Sequence, residues 1–152
     1  GVDSALGALR RGGAEVLVNR AIQLGDRNRG GQRVVLAGVD DLSARRFLRA
    51  GPDLTRALAG TPADATRILL CHQPAFFAAA SSDVDLQLSG HTHGGQINLG
   101  IQPAKYLLPH GWVEGRYRRG RGQLYVNRGF GTVGPPARLG AAPEVTKIVL
   151  TS

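Results

Sequence analysis

The 152-residue sequence has no methionine, one cysteine (Cys71), one tryptophan, three tyrosines and four phenylalanines. A lone cysteine cannot close an internal disulfide, so Cys71 neither cross-links the fold nor assigns an oxidising compartment. The few aromatics do not interleave with the basic positions. The chain therefore lacks the stacking platform that single-stranded nucleic acid requires, and no specific nucleic-acid partner is expected. No apolar run approaches the roughly 20 residues of a membrane span. The opening stretch GVDSALGALRRGG has no apolar core of the signal-peptide kind. With no methionine even at position 1, the chain is expected to be a piece of a longer or processed product. Acidic residues are in deficit too: 11 Asp and Glu face 19 Lys and Arg, a formal charge of +8. That charge favours anionic partners such as phosphate esters, nucleic acid or an acidic membrane surface, without choosing among them.

A 42% hydrophobic content at this length suffices for one core, so residues 1–152 are expected to form a single domain. Short β-branched runs alternate with helical stretches, which is an α/β pattern. Asp3 or Ser4 caps a helix through Arg11 with Ala5, Leu6 and Leu9 on its apolar side, and Gly12-Gly13 ends it. Strands are expected at Glu15–Val18, Ala21–Leu24 and Arg33–Ala37, the last two joined by a turn at Gly25–Gly31. Asp41 or Ser43 caps a helix holding Phe47 and Leu48, and a short helix lies between Pro52 and Gly60. Thr66–Cys71 reads as a strand buried on both faces, and Asp83–Leu88 as another. Asn98–Gly122 is rich in glycine and proline and is expected to be irregular, followed by closing strands at Gln123–Asn127 and Val145–Leu150.

The feature that carries chemistry is Ser89-Gly-His-Thr-His-Gly-Gly-Gln96, which holds two of the four histidines. Alone, a His-x-His triplet is more often a pair of polar residues on a surface turn. Here it is flanked by Gly90, Gly94 and Gly95, it follows a core strand, and a third histidine, His72, stands at another strand end. Those three circumstances turn the reading to a metal site. In an extended segment His91 and His93 would point the same way and Thr92 the opposite way. Other residues have simpler readings. Cys71 is a buried structural thiol, Asp40 and Asp41 form a helix cap, and His110 is a loop histidine. Asn127 and Arg128 either touch a phosphate or make a strand-end hydrogen bond and a solvated cation; the sequence leaves both open.

The segment Gly90-His-Thr-His-Gly-Gly-Gln96 resembles the signature of calcineurin-like metallophosphoesterases, in a bacterial branch whose members are often membrane-associated. Cys71-His-Gln-Pro74 resembles that family's upstream histidine-proline motif, and Gly38-Val-Asp-Asp41 its preceding segment. Tyr125-Val-Asn-Arg-Gly-Phe-Gly131, with Arg138 and Pro143-Glu144, resembles its closing pattern, so the likeness runs from about Leu17 onward. The resemblance implies an α/β fold, half of a β-sandwich flanked by helices, the complete family fold having four α/β/β/α layers. It implies two divalent ions (manganese, iron or zinc) hydrolysing a phosphate mono- or diester. His72 and His91 would ligate one ion and His93 the other, with Gln96 on the substrate side.

The family's Asp-x-His, Gly-Asp and Asn-His motifs do not occur in their expected places. Gly25-Asp26 falls too late to supply the bridging aspartate. This chain is therefore expected to be the C-terminal portion of the catalytic domain, holding one metal or none alone, its catalytic histidine upstream of residue 1. The missing N-terminal half would be its partner, and any membrane contact would come through that half. Three histidines could otherwise hold a single zinc with an open water position. The alternative in a different class is a non-catalytic, basic interaction module that keeps the fold.

Overall fold

The computed structural model describes residues 2–24 and 33–151. Its frame is one six-stranded mixed sheet in the order β1-β2-β3-β4-β6-β5, formed by β1 (Arg20–Leu24), β2 (Val34–Gly38), β3 (Thr66–Leu70), β4 (Leu86–Ser89), β5 (Gly115–Arg119) and β6 (Gly122–Val126). β2, β3, β4 and β6 run parallel, and β1 and β5 close the two edges antiparallel. This is the α/β arrangement that the sequence implies. β1 pairs with β2 as expected; the turn at Gly25–Gly31, with Asp26, lies outside the described residues.

Alternation along the strands explains which face is dry. Ala37, Leu69, Gln87 and Leu124 occupy matching register positions on β2, β3, β4 and β6 and are fully buried. Ala57 of α2 (Leu54–Leu58) and Ala80 of α3 (Phe77–Ala80) pack on the Leu69 side, and Phe77 joins Leu124 and Val126. Each large side chain so removed from water contributes about 1.5–3 kcal/mol. On the other face Ile22, Leu36 and Leu88 are half-buried and Leu70 is 38% exposed. β3 is buried on both faces only at its centre, where Ile68 on this face and Leu69 on the other are both buried, while Leu70 opens to solvent.

Local signals set the helix ends. α1 (Val2–Arg11) stops where Gly13 turns left-handed at φ 83°, with Gly13 N donating to Arg10 O and Ala14 N to Leu9 O. That pair of bonds is the glycine-terminated motif expected of Gly12-Gly13. No residue of α1 is buried; on its apolar side Leu6 is half-buried while Ala5 and Leu9 are exposed. α2 starts where the Asp53 side chain accepts from Arg56 N, satisfying an orphan donor of the first turn.

Four expectations need correction. Glu15–Val18 forms no strand. The buried Asn19, at φ 51°, accepts from Asp40 N and Asp53 N and donates to Gly51 O, so a side-chain anchor directs the chain instead of a ladder. Leu17 then lies over Gly38, where a Cβ would meet it at 2.6 Å. The helix expected from Ser43 is a single 3-10 turn, Ala44–Phe47, ended by Leu48 at φ 57°, and Phe47 and Leu48 are exposed. Val145–Leu150 forms no strand, because it meets β6 through side chains at Tyr125 and Asn127 rather than at a free edge. Finally, Asn98–Gly122 contains α4 (Ala104–Leu107) and β5. The β5 sequence Gly-Arg-Tyr-Arg-Arg hides its strand character because only Tyr117 faces the core, while exposed arginines line a sheet edge, as edge strands commonly require.

Candidate metal centre

Because β3, β4 and β6 are parallel neighbours, their carboxyl ends deliver three loops to one place: His72 after β3, His91 and His93 after β4, and Asn127 and Arg128 after β6. Ligand sites in open α/β sheets gather at such ends. The ladder runs on past the strands, with Gly90 N donating to His72 O at 3.1 Å and Asn127 N to Ser89 O at 2.7 Å. The loops thereby hold fixed offsets. His72, His91, His93, Asn127, Arg128 and Glu144 line one cleft of about 460 Å³.

The His-Thr-His segment is not extended. His91 (φ 73°), His93 (φ 52°) and Gln96 (φ 52°) are left-handed, a conformation costing a non-glycine residue roughly 1–2 kcal/mol. Such strain persists only where its surroundings enforce it. Here Thr92 Oγ1 donates to Val113 O at 2.5 Å, and the Gly94 carbonyl receives Asn98 Nδ2 at 2.9 Å and Gln102 Nε2 at 3.1 Å. Gly94 itself, at φ 64°, leaves room for Arg128, whose Cγ would lie 2.8 Å from an added Cβ.

The turn sends the two rings to different partners. His91 Nδ1 lies 3.1 Å from His72 Nε2, the rings nearly perpendicular with centroids 4.8 Å apart. Two nitrogens bound at ~2.0–2.1 Å to one tetrahedral ion lie about 3.3 Å apart, so this pair fits as two ligands of one cation. Burial, with His72 and His93 nearby, holds the His91 ring below its ordinary pKa and so favours its neutral form. His93 Nδ1 sits 3.2 Å from Gly131 O. Among the described residues no three His, Cys, Asp or Glu side chains converge as a metal cage, so the fit is that of a partial donor set.

Cys71 is the buried thiol expected: burial pushes its pKa up to about 12, and its Sγ lies 3.5 Å from Gln73 O. Burial alone would raise the Asp41 carboxyl as well. Hydrogen bonds from Ser43 and from Gln73 Nε2, with His72 nearby, hold it below its ordinary value instead. It accepts locally from Ser43 N and Oγ just before the 3-10 turn, whose N-cap Ser43 makes no side-chain cap bond of its own, and Asp41 N donates to Asp40 Oδ1.

Gln96, expected on the substrate side, is buried with its amide on backbone. Its Oε1 accepts from Val133 N at 2.8 Å, and its Nε2 donates to Val133 O at 2.9 Å and Pro135 O at 3.2 Å. With His91 and His93 it also lines a second, mostly apolar cleft of about 340 Å³. Asn127 and Arg128 converge on a residue given no role from sequence, Glu144. That carboxylate accepts from Tyr125 OH, Thr146 Oγ1, Asn127 Nδ2 (3.3 Å) and Arg128 Nε (2.8 Å). Burial opposes its ionisation, but the bonds from Thr146, Tyr125 and Arg128 hold its pKa down to about 2. No local pattern marks Glu144, since its partners lie up to 19 residues away.

Histidines of metal-ligand spacing at the carboxyl ends of adjacent parallel strands define an α/β protein built around a candidate metal site. Curated relatives agree. The uncharacterized metallophosphoesterase YkuE of Bacillus subtilis is 38% identical over 125 residues, covering 80% of this chain and 42% of its own. An uncharacterized metallophosphoesterase of Aquifex aeolicus is 32% identical over 157 residues, covering 99% of this chain and 56% of its own. A bovine transmembrane protein with metallophosphoesterase domain is 41% identical over 125 residues, covering 77% of this chain and 27% of its own. The chain belongs to the calcineurin-like metallophosphoesterases. It spans about half or less of the length of these relatives. No family profile and no solved structure matches it.

Proposed function

We propose that this chain is part of a metal-dependent phosphoesterase that hydrolyses a phosphate mono- or diester at a dinuclear centre. The supporting observation is the His72–His91 pair, whose 3.1 Å nitrogen separation suits a shared cation. In this reading His72 and His91 hold one ion and His93 the other. Two divalent ions of manganese, iron or zinc supply Lewis acidity and an activated water when bound. This chain's own residues do the rest of its share. His91, kept neutral, offers a lone pair rather than a proton. Arg128 is held by Glu144 through Nε, while its two terminal nitrogens have no hydrogen-bond partner among the described residues and can meet phosphoryl oxygens. Asn127 donates to Thr146 and Glu144 and accepts from Gly129 N, which shapes the loop under that anion. Gln96 contributes by tying the histidine loop to Val133. The carboxylate ligands and the catalytic acid come from the part of the longer relatives that this chain does not span.

A second reading, a non-catalytic basic module, is favoured by the absence of three converging ligands among the described residues. The deciding experiment uses full-length protein, assayed on p-nitrophenyl phosphate and bis-p-nitrophenyl phosphate with manganese or zinc, with bound metal quantified on the same sample. Turnover that chelation abolishes and metal restores, with bound metal reduced in His72→Ala and His91→Ala, is the expected result. Metal content unchanged in both variants would remove the histidine assignment; bound metal without turnover would favour the module.

A further inference from the structure

Arg138 makes no ion pair among the described residues. Its guanidinium is occupied by backbone carbonyls from three segments. Nε donates to Gly131 O at 2.9 Å, and Nη2 to Gly131 O at 2.6 Å and Arg128 O at 2.8 Å. Nη1 donates to Ala141 O at 3.1 Å and to His93 O at 3.3 Å. A planar group with five donors can span these acceptors, and a lysine ammonium cannot.

The arrangement decides where the proton sits on the His93 ring. His93 Nδ1 has two neighbours, Gly131 O at 3.2 Å and Arg138 Nη2 at 3.4 Å. Nη2 carries two protons, and both are taken by the shorter bonds to Gly131 O and Arg128 O. It has no third proton for Nδ1. An unprotonated Nδ1 would set its lone pair against the Gly131 oxygen at 3.2 Å with no proton between them, so Nδ1–H, sharing that oxygen with the two Arg138 bonds, is the tautomer the surroundings favour, which leaves Nε2 as the ring nitrogen with a free lone pair. Arg138 also grips the His93 carbonyl itself, at the residue whose left-handed φ of 52° needs outside support.

We propose that Arg138 is a positioning residue for the metal centre: it fixes the Gly131 carbonyl and the His93 backbone so that His93 is held in the Nδ1–H tautomer, with Nε2 presented as ligand. The inference rests on the reading of His93 as a metal ligand. Hydrogen-bonded support of this kind is typically worth ~10–100-fold in metal affinity.

The test combines a spectrum with a titration, both on full-length protein. Long-range nitrogen–proton NMR of histidine-labelled, metal-free protein is expected to show His93 as Nδ1–H. Arg138→Lys, which keeps the charge but not the fork, and Arg138→Gln are each expected to give mixed tautomers. Zinc binding, measured by chelator competition, is expected to weaken about 10–100-fold in each, with the far-UV spectrum unchanged. A purely structural role would lower the melting temperature and leave the tautomer alone. An Nε2–H tautomer in the wild type, or an unchanged tautomer and zinc affinity in a folded variant, would overturn the proposal. If neither variant folds, the wild-type spectrum still decides. A wild type that shows Nδ1–H but binds no zinc would overturn the metal reading, and the proposal with it.

Discussion

Replacing Glu144 with glutamine tests the electrostatic joint beneath the cleft. The variant keeps the shape of the side chain and removes its charge, so Arg128 loses its 2.8 Å partner and keeps only Glu114 at 3.6 Å. The Glu144 pKa is depressed from 4.5 to about 2, and its side chain is only 14% exposed. At 1.36 kcal/mol per unit, that depression is worth at most about 3.4 kcal/mol. Arg128 is one-third exposed, and solvent screening lowers the expectation to about 1.5–3 kcal/mol at pH 7. The sign follows from the depression. The contribution is complete above 4.5, the unfolded value, and is lost as pH falls through about 2. At pH 3 only about 1.4 of the upper 3.4 kcal/mol survives. Urea unfolding of wild type and Glu144→Gln at pH 7 and pH 3 reads this directly. The gap between the two proteins is expected to shrink by more than half at the lower pH. A gap below about 0.5 kcal/mol at pH 7, or an equal gap at both pH values, would refute the account of Glu144 as a buried, ionised hub.

Three further outcomes are expected. Leu69→Ala empties the centre of the helix-covered face and is expected to lower the unfolding free energy by about 2–5 kcal/mol in urea titration; a loss under 1 kcal/mol would contradict its burial. Gly122→Ala places a Cβ 2.5 Å from the Ser81 carbonyl, so β6 must shift, at a cost of about 1–3 kcal/mol by the same assay. Native Cys71 is expected to react with a thiol reagent at pH 8 only through unfolding, so its modification rate tracks denaturant concentration. Rapid labelling of folded protein would show an accessible thiol.

The parallel centre of the sheet is legible because its strands are short runs rich in apolar residues, buried in succession at Ile68 and Leu69 and in alternation along Leu86–Ser89. His72 and the His91–His93 pair are legible because glycines and strand ends surround them. β5 is not, since an edge strand whose outward positions are arginine carries no hydrophobic signal beyond Tyr117. The conformation of the histidine turn is hidden for another reason. His91 and His93 are not residues that ordinarily prefer a left-handed backbone, and what holds them there comes from Val113, Gln102 and Arg138. Glu144 and Arg138 can be read as positions in a pattern, but their work is to bind partners distant in the chain, which no local window contains. The tail misleads in the opposite direction: Val145–Leu150 looks like a strand, yet it meets the sheet through the Thr146 side chain at Tyr125 and Asn127 and joins no ladder.

The clamp around Arg138 also bears on when the centre exists at all. His93 and Arg138 are 45 residues apart, and Gln96 and Val133 are 37 apart. Closing loops of that length yields nothing until both ends are in place, so such contacts form after the strand pairings that bring them near. The histidine loop gains its final shape only when the C-terminal segment closes over it, and it loses that shape when the segment lifts away. The two are expected to open together, and a protease cut within residues 131–141 would be felt first at His93.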